Sequence, residues 1–349
     1  MSEIVFVKVA QEGPDVAAEA RASFAAADKA LAKHGLSLKN VFKTRLHYTT
    51  RQVWADLYHV REPLYAATFL DGGFPASTGL ITGGRGGASP VLEIELTAAA
   101  GKSVLDDENV AHVFGGRTTS FSHLGEANGI AFLTGQSAFD AKGNITVSSF
   151  AEEAEQTLVS IEAVLKKSGR SIADIVSLGV FLGPPAAAAY AEVRAAIDRF
   201  IQRGGGQPPA IACVGIEGLV WEGMSIEIDT VAGPAGAPHR ASQAAVAPSA
   251  LGPLPRSAPA IQAGSIVTAT ATGDDLGSAL ALIRKSLDGV DGVRGSHLVT
   301  VWATRPWPQN IETAVHKVLP GATVSVGHMV NPAGTPAVTI ELVGNSAAA

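Results

Sequence analysis

Two hydroxyl side chains stand next to a flexible, glycine-rich stretch of the sequence. In FPASTGLITGGRGG, residues 74–87, Ser77 and Thr78 precede glycines whose backbone N–H groups can bind a carboxylate or an oxyanion. No Ser-His-Asp order or GxSxG motif accompanies Ser77, so we expect both hydroxyls to form hydrogen bonds rather than to act as nucleophiles. The alternative is an ordinary turn rich in glycine.

Histidines are the candidates for proton transfer, since an imidazole titrates near neutral pH. His123 lies in FSHL, and His47 precedes Tyr48 in RLHYTT. A structural role for each histidine stays open. The nine histidines lack HxxxH and HExxH spacing, and the single cysteine, Cys213, excludes a disulfide within the chain and a cysteine-based zinc site. We therefore expect no metal and no other cofactor.

Composition limits the partners of this 349-residue chain. Its net charge of −6, without clusters of Lys and Arg, disfavours nucleic acid. The N-terminal residues lack the pattern of a signal peptide, and no apolar run is long enough to span a bilayer. These features predict a cytoplasmic protein with no membrane partner.

An internal repeat organises the elements that carry these residues. Residues 15–50 and 151–182 each place apolar residues at helical spacing, then a glycine, then a β-rich run. The glycines Gly35 and Gly169 are 134 residues apart, and so are Pro75 and Pro209. This shared offset predicts two copies of one unit, each with the order helix, strand, helix, strand, strand.

Four segments follow from this repeat. We predict a partial unit over 1–105 without a full front hairpin, a complete unit over 106–232 with a turn at DAKG, a Pro/Ala-rich linker over 233–259, and a shortened third unit over 260–349. The second helices of the first two units are predicted in LYHVREPLYAATF and YAEVRAAIDRFI.

The order of motifs in the second unit resembles the Rid (YjgF-type) reactive-intermediate deaminases, formerly called endoribonuclease L-PSP. The unit contains, in this order, FSHL, TGQ, QT, SGRSIADIV, PPAIACVGI and IEIDTVA. Rid proteins form trimers with ligand clefts between subunits. The resemblance thus implies an α/β (α+β) fold of tandem Rid-like, chorismate-mutase-like domains, with mixed sheets packed against helices. It also implies that the three units close into a pseudo-three-fold trimer within one chain, as a monomer or as a dimer of such pseudo-trimers.

The resemblance also implies an arginine that this chain lacks. In Rid deaminases the arginine of PAR holds the substrate carboxylate. The corresponding positions are Ser77, Ile211 and, in the third unit, most nearly Ala322, and none is basic. The opening tyrosine of the family is Phe121 here. We expect Ile211 to shape an apolar wall.

Acidic and basic residues at matching positions are the remaining candidates that the resemblance implies. The family glutamate that positions water corresponds to Glu93 and Glu227, and to Thr339 in the third unit. Arg61 and Arg194 occupy matching places on the second helices and can replace the missing carboxylate anchor. The alternatives are solvent-facing carboxylates on alternating strands and exposed helix arginines paired with acids.

We expect the candidate cleft to join the first unit to the second. One face pairs Ser77, Thr78 and Glu93 with Phe121, His123 and Gln136 across the boundary, and the expected ligand is a small anionic molecule. The resemblance favours a hydrolase, deaminase or lyase acting on a polar carbonyl, imine or enamine compound.

Four alternatives stay open or weak. Loss of the family arginine is also what a non-catalytic binding or regulatory protein predicts. A chorismatase-like lyase or hydrolase shares the FPAxTG stretch, although its arginine- and tyrosine-rich motif is absent from residues 100–120. Cyanuric acid hydrolases and barbiturases need repeated Ser and Lys partners, which this sequence does not show. RNA cleavage is disfavoured by the acidic charge.

Overall fold

Three mixed sheets, each covered by helices, form the framework of the protein and confirm the predicted fold class. The structure, a computed structural model, describes residues 3–69, 73–83, 90–106, 121–140, 142–242, 258–304, 310–330 and 337–347. Each sheet packs its helices over an apolar core of its own. Two further apolar clusters join the units to one another.

The first sheet is built from the N-terminal unit. Its elements are β1 (Val5–Val9), α1 (Val16–Ala32), β2 (Val41–Tyr48), α2 (Arg51–Phe69), β3 (Ala76–Ile81) and β4 (Leu92–Ala98). The strand order is β1-β4-β2-β3, with β2 and β3 parallel. Helix α1 begins where the Asp15 side chain accepts a hydrogen bond from Ala18 N, and it buries the predicted stripe that includes Phe24 and Leu31.

The second sheet repeats this plan and adds a hairpin. Its elements are β5 (Ser103–Leu105), β6 (Leu124–Ala127), β7 (Ile130–Leu133), α3 (Phe150–Lys167), β8 (Ile175–Leu182), α4 (Pro184–Ala188), α5 (Tyr190–Gly204), β9 (Ala210–Gly215), β10 (Gly218–Leu219) and β11 (Ile226–Ala232). The order is β5-β6-β7-β11-β8-β9. Strand β10 leaves this sheet and pairs with β3 of the first, so it ties the two units together.

The third sheet has the same arrangement in fewer residues. Its elements are β12 (His239–Ala241), β13 (Ala260–Ala263), β14 (Ile266–Gly273), α6 (Leu276–Leu287), β15 (Val293–Ala303), α7 (Ile311–Val318), β16 (Thr323–His328) and β17 (Val338–Ser346). The order is β12-β13-β14-β17-β15-β16. The order of helices and strands predicted for the third unit is therefore present.

The outer edge of β1 shows how the first unit does without a full hairpin. Among the described residues, β4 is the only strand that pairs with β1. Third-unit side chains satisfy the other edge: Ile4 N donates to Asn345 Oδ1 (3.1 Å), Phe6 N donates to Ser296 Oγ (2.8 Å), and Thr323 Oγ1 donates to Phe6 O (2.9 Å). Polar caps thus replace a neighbouring strand.

Three local features differ from the sequence-based expectation. The β6–β7 hairpin turn lies at Asn128 and Gly129, both with positive φ, because an Asn-Gly pair fits the two left-handed positions of a tight hairpin turn. The predicted turn at DAKG is present as a separate turn after the hairpin, where Gly143 N donates to Asp140 O at 2.9 Å. Part of the predicted linker forms β12, while residues 243–257 lie outside the described part. Helix α2 begins at Arg51, six residues before the predicted start, because Val53 continues its buried stripe and Thr50 Oγ1 accepts from Val53 N.

A charged cluster lies where the three sheets meet. Arg45 of β2 pairs by strand register with Glu95, and the same register pairs Gly179 with Asp229 and Thr300 with Glu341. The Arg45 guanidinium lies 2.9 Å from Asp229, 3.4 Å from Glu341 and 3.6 Å from Glu95. Three equivalent carboxyl groups therefore surround one arginine, which marks the pseudo-three-fold axis.

Candidate functional site

A cleft between the first and second units is the candidate functional site. It measures about 500 Å³ when its opening to solvent is included. Helix α2 and strand β3 form one wall, and the segment after β7 together with β11 forms the other.

Arg61 enters the cleft from the middle of α2. Its side chain is 5% exposed, and its guanidinium carbon lies 5.3 Å from the ring centroid of Tyr58 and 5.2 Å from that of Tyr65. The three residues follow helical spacing, so they share one face of α2. The two tyrosine rings fix the position of a permanently charged group at the cleft wall.

Glu227 enters the same cleft from β11 of the second unit. Its side chain is buried, and it accepts a hydrogen bond from Gly79 N. Glu227 Oε2 has no hydrogen-bond partner in the described part of the chain. Burial, and then the nearby Asp229 carboxylate, raise the pKa of Glu227 to about 8. This carboxyl group is therefore mostly protonated at neutral pH and can donate a proton.

The backbone at Gly135 approaches the Glu227 carboxyl group closely and holds it in place. A Cβ atom built on Gly135 would lie 2.1 Å from Glu227 Oε1, so only glycine leaves room for the carboxyl group. The backbone at Gly135 is fixed by two first-unit groups, because its N–H donates to Ser77 O (3.1 Å) and Thr78 Oγ1 (3.0 Å). The position of Glu227 thus depends on both units.

The two predicted hydroxyl residues have separate surroundings. Ser77 lines the cleft, and its N–H donates to Thr134 Oγ1 at 2.9 Å. Thr78, the next residue of β3, bonds instead to Lys43 (2.6 Å) and to the Asp229 carboxylate. Successive strand residues face opposite sides, so only Ser77 lines the cleft. Residues 84–87 of the same predicted motif lie outside the described residues.

The three predicted residues of the second-unit hairpin also separate. Phe121 lines the cleft. Gln136 is buried behind it, where its side-chain Nε2 donates to Thr134 O at 2.7 Å and Oε1 has no partner in the described residues. His123 is buried and does not line the cleft.

Glu93 does not pair with the second unit as expected. It contacts the third unit, where Ser325 Oγ donates to it at 2.5 Å, and it lies 3.6 Å from Lys8. The three units are arranged in a ring. The first unit therefore presents Ser77 of β3 to Glu227 of the second unit, and it presents Glu93 of β4 to strand β16 of the third unit.

The other matched positions lie at different interfaces or in a core. Ile211 is 6% exposed and belongs to the apolar core of the second unit. Arg194 lies on α5, half-buried near Tyr190. In the third unit, strand register assigns the arginine position to Val324 rather than to Ala322, which precedes β16. The compressed spacing of that unit caused the two-residue error.

Four aromatic residues of the cleft, unlike Phe121, were not predicted from the sequence. Trp54 and Tyr58 of α2 line it, as do Trp221 and Phe139 of the second unit. The Trp54 and Trp221 rings meet edge to face at 4.8 Å between centroids, and the Trp54 and Tyr58 centroids are 6.0 Å apart. Helical spacing of Trp54, Tyr58 and Arg61 was the available signal. Hydroxyls of Thr134 and Ser137 complete the polar lining.

Comparison with known proteins identifies the second unit. Residues 116–233 match the family whose model is described as Endoribonuclease L-PSP. Protein HMF1 of Saccharomyces cerevisiae is 27% identical over 113 residues, covering 32% of this chain and 83% of the yeast protein. This segment belongs to the Rid family.

Two solved Rid-like structures each match about one third of the chain. The yeast protein YEO7 is 24% identical and covers 38% of this chain and 98% of its own, with a TM-score of 0.34. The YjgF gene product of E. coli is 21% identical and covers 37% of this chain and 97% of its own, with a TM-score of 0.33.

A second cavity lies beside the Rid unit, on the pseudo-three-fold axis. Arg45, Glu95, Asp229 and Glu341 line it. Burial opposes ionisation of Glu95, but His47 and Arg45 outweigh it and lower its pKa to about 2. His47 therefore belongs to this charged cluster, where its Nε2 lies 3.1 Å from Glu95.

Two general features are also seen. No helix within the described residues is both long and apolar enough to cross a membrane. The described residues contain no group of three or more His, Cys, Asp and Glu side chains arranged to hold a metal ion.

Proposed function

We propose that the cleft between the first and second units binds a small anionic imine, or the enamine that tautomerises to it, and hydrolyses the C=N bond to give a carbonyl compound and ammonia. The observation that carries this proposal is the convergence of Arg61 and a protonated Glu227, from different units, on one cleft. Arg61 would hold the substrate carboxylate in place of the absent strand arginine. Membership of the second unit in the Rid family supports this reaction class.

The two forms of the Glu227 carboxyl group suit imine hydrolysis. The carboxylic acid donates its proton to the imine nitrogen, and the resulting carboxylate accepts a proton from the water that attacks the carbon. The regained proton then goes to the amine nitrogen of the carbinolamine. The C–N bond breaks as the carbinolamine hydroxyl loses its proton to Glu227, so one imine and one water give one carbonyl compound and one ammonia.

Polar groups around Glu227 fit the positioning of this water. Ser77 and Thr134 from the two units line the cleft, and so does Ser137, whose hydroxyl donates to Ile226 O at 2.9 Å. None of these hydroxyls needs to act as a nucleophile. Aromatic side chains line the same cleft and lower its local dielectric constant, which strengthens the interaction between Arg61 and a carboxylate.

Turnover of an imino acid tests the proposal. The probe is 2-iminopropanoate, formed in situ from alanine by an amino-acid oxidase, and its decay is followed by trapping as the semicarbazone. Glu227→Gln should lower kcat/KM by about 100-fold or more. Glu93→Gln, at the matching position of another interface, should leave it near the wild-type value. Equal activity of the wild type and Glu227→Gln would refute the catalytic role.

Binding without turnover is the second candidate function. It is favoured by the side chains Ser77, Ile211 and Val324, which leave all three family arginine positions without charge. In that case Arg61 still binds the carboxylate, and Glu227 donates a hydrogen bond to the ligand carbonyl. Saturable binding of pyruvate, together with no acceleration of imine decay by the wild type, would favour this candidate.

A further inference from the structure

We propose that the same cleft selects ligands whose side chain is planar and apolar, such as aromatic 2-oxo or 2-imino acids. The inference rests on the proposed function, because it assumes that Arg61 holds the carboxylate. It adds the chemical class of the substituent on the other end of the ligand. The aromatic side chains Trp54, Tyr58 and Trp221 carry it.

These three side chains form an aromatic wall beside the carboxylate anchor. Tyr58 and Trp54 lie one and two helical turns before Arg61, on the same face of α2. Trp221 comes from the second unit and meets Trp54 edge to face at 4.8 Å between centroids. A carboxylate on Arg61 therefore places the remainder of a short ligand against this wall.

Partial exposure distinguishes the aromatic wall from ordinary core packing. Trp54 and Trp221 pack against the apolar core of the first unit on one side. Both rings and Tyr58 nevertheless stay half-buried and line the cleft. A ring that served only the core would be expected to lie wholly inside it, as Tyr65 and Phe69 do.

The matching helix of the second unit lacks this wall. Trp54 and Tyr58 lie seven and three positions before Arg61. The residues at the same distances before Arg194 are Ala187 and Ala191. The arginine thus recurs in both units, whereas the aromatic side chains belong to the first alone. This contrast separates the selection of the substituent from the binding of the carboxylate.

Ligand ranking tests the inference with stable 2-oxo acids. The full chain is titrated calorimetrically with pyruvate, 4-methyl-2-oxopentanoate and phenylpyruvate. We expect phenylpyruvate to bind about tenfold more tightly than pyruvate, with the branched aliphatic acid between them. Trp54→Ala should reduce the ratio to about twofold, and Trp54→Phe, which keeps a flat apolar ring, should retain most of it.

The outcomes separate this inference from the proposed function. Equal affinity for pyruvate and phenylpyruvate would overturn the selection of planar groups while leaving the carboxylate site intact. Affinity for 4-methyl-2-oxopentanoate equal to that for phenylpyruvate would also overturn it, because bulk alone would then suffice. Binding of none of the three acids would refute the proposed function itself. If Trp54→Ala does not fold, Trp221→Ala and the wild-type ranking decide the question.

Discussion

Glu227 is a buried carboxyl group two residues from a second acid, Asp229, on one strand. Its folded-state pKa of about 8 compares with 4.5 for an ordinary glutamate. The folded protein therefore binds more protons than the unfolded chain between these pH values. The contribution of Glu227 to the free energy of unfolding therefore falls as the pH rises from about 4.5 to 8.

Glu227→Gln should remove this pH dependence. The amide stays neutral at every pH, so the melting temperature of the variant should fall less than that of the wild type between pH 5 and 8, a range that covers most of the titration window. Melting curves across this range measure the effect, with the exposed Glu12→Gln as control. Parallel wild-type and Glu227→Gln profiles would contradict the protonated state of Glu227.

Gly135 sets the position of that carboxyl group. In Gly135→Ala the new Cβ would lie 2.1 Å from Glu227 Oε1, so Glu227 must move. We expect kcat/KM for imine hydrolysis to fall on the order of 100-fold. Gly218→Ala is the matched control, since its Cβ would meet Ile81 at an ordinary 3.7 Å. Unchanged activity in Gly135→Ala would refute the close approach.

Residue types and the repeat predicted part of the cleft. Glu93 and Glu227 are 134 residues apart and Arg61 and Arg194 are 133 apart, which marked both as matched pairs, but spacing could not decide which interface each residue joins. Glu95 and Asp229 are also 134 residues apart, and both carboxyl groups contact Arg45. The aromatic wall has no counterpart in the second unit, so comparison of repeats could not reveal it.

At the scale of elements, the hairpin of β6 and β7 depends on its two-residue turn. Gly129 has φ of 77°, and a side chain there is strained. We predict that Gly129→Ala lowers the free energy of unfolding by about 1–2 kcal/mol, measured by urea denaturation. Asn128→Gly should be near neutral, because glycine accepts the same conformation. Equal stability of Gly129→Ala and the wild type would contradict this turn.

The order of the elements was predictable because helical and strand periodicities are strong in this chain. Helix α1 and helix α3 end at Ala32 and Lys167, just before the two glycines that marked the repeat. Boundaries were less predictable where a polar stretch begins a helix, as at Arg51. In the third unit the predicted position of the family arginine was wrong by two residues, because the connections between the elements are shorter there.

At the scale of the whole molecule, the axial cluster holds the three sheets together. Arg45→Ala would leave Glu95, Asp229 and Glu341 close together without the arginine between them. We expect the free energy of unfolding to fall by about 3–5 kcal/mol. Arg199→Ala removes an exposed pair with Glu155 and should cost about 1 kcal/mol or less. Similar losses in both variants, measured by chemical denaturation, would contradict a central role for Arg45.

Closure of the ring within one chain predicts the oligomeric state. Light scattering should give a mass of 35.6 kDa, or about twice that value for a dimer of pseudo-trimers. The edge of β1, which third-unit side chains already cap, leaves no place there for another copy. A simple homotrimer would contradict the pseudo-trimer.

Calorimetric titration with pyruvate of the wild type, Arg61→Gln and Arg194→Gln tests the central claim most directly. The account predicts one ligand per chain, binding weakened about tenfold or more in Arg61→Gln, and wild-type affinity in Arg194→Gln. The same loss in Arg194→Gln with none in Arg61→Gln, or three equivalent ligands per chain, would contradict it.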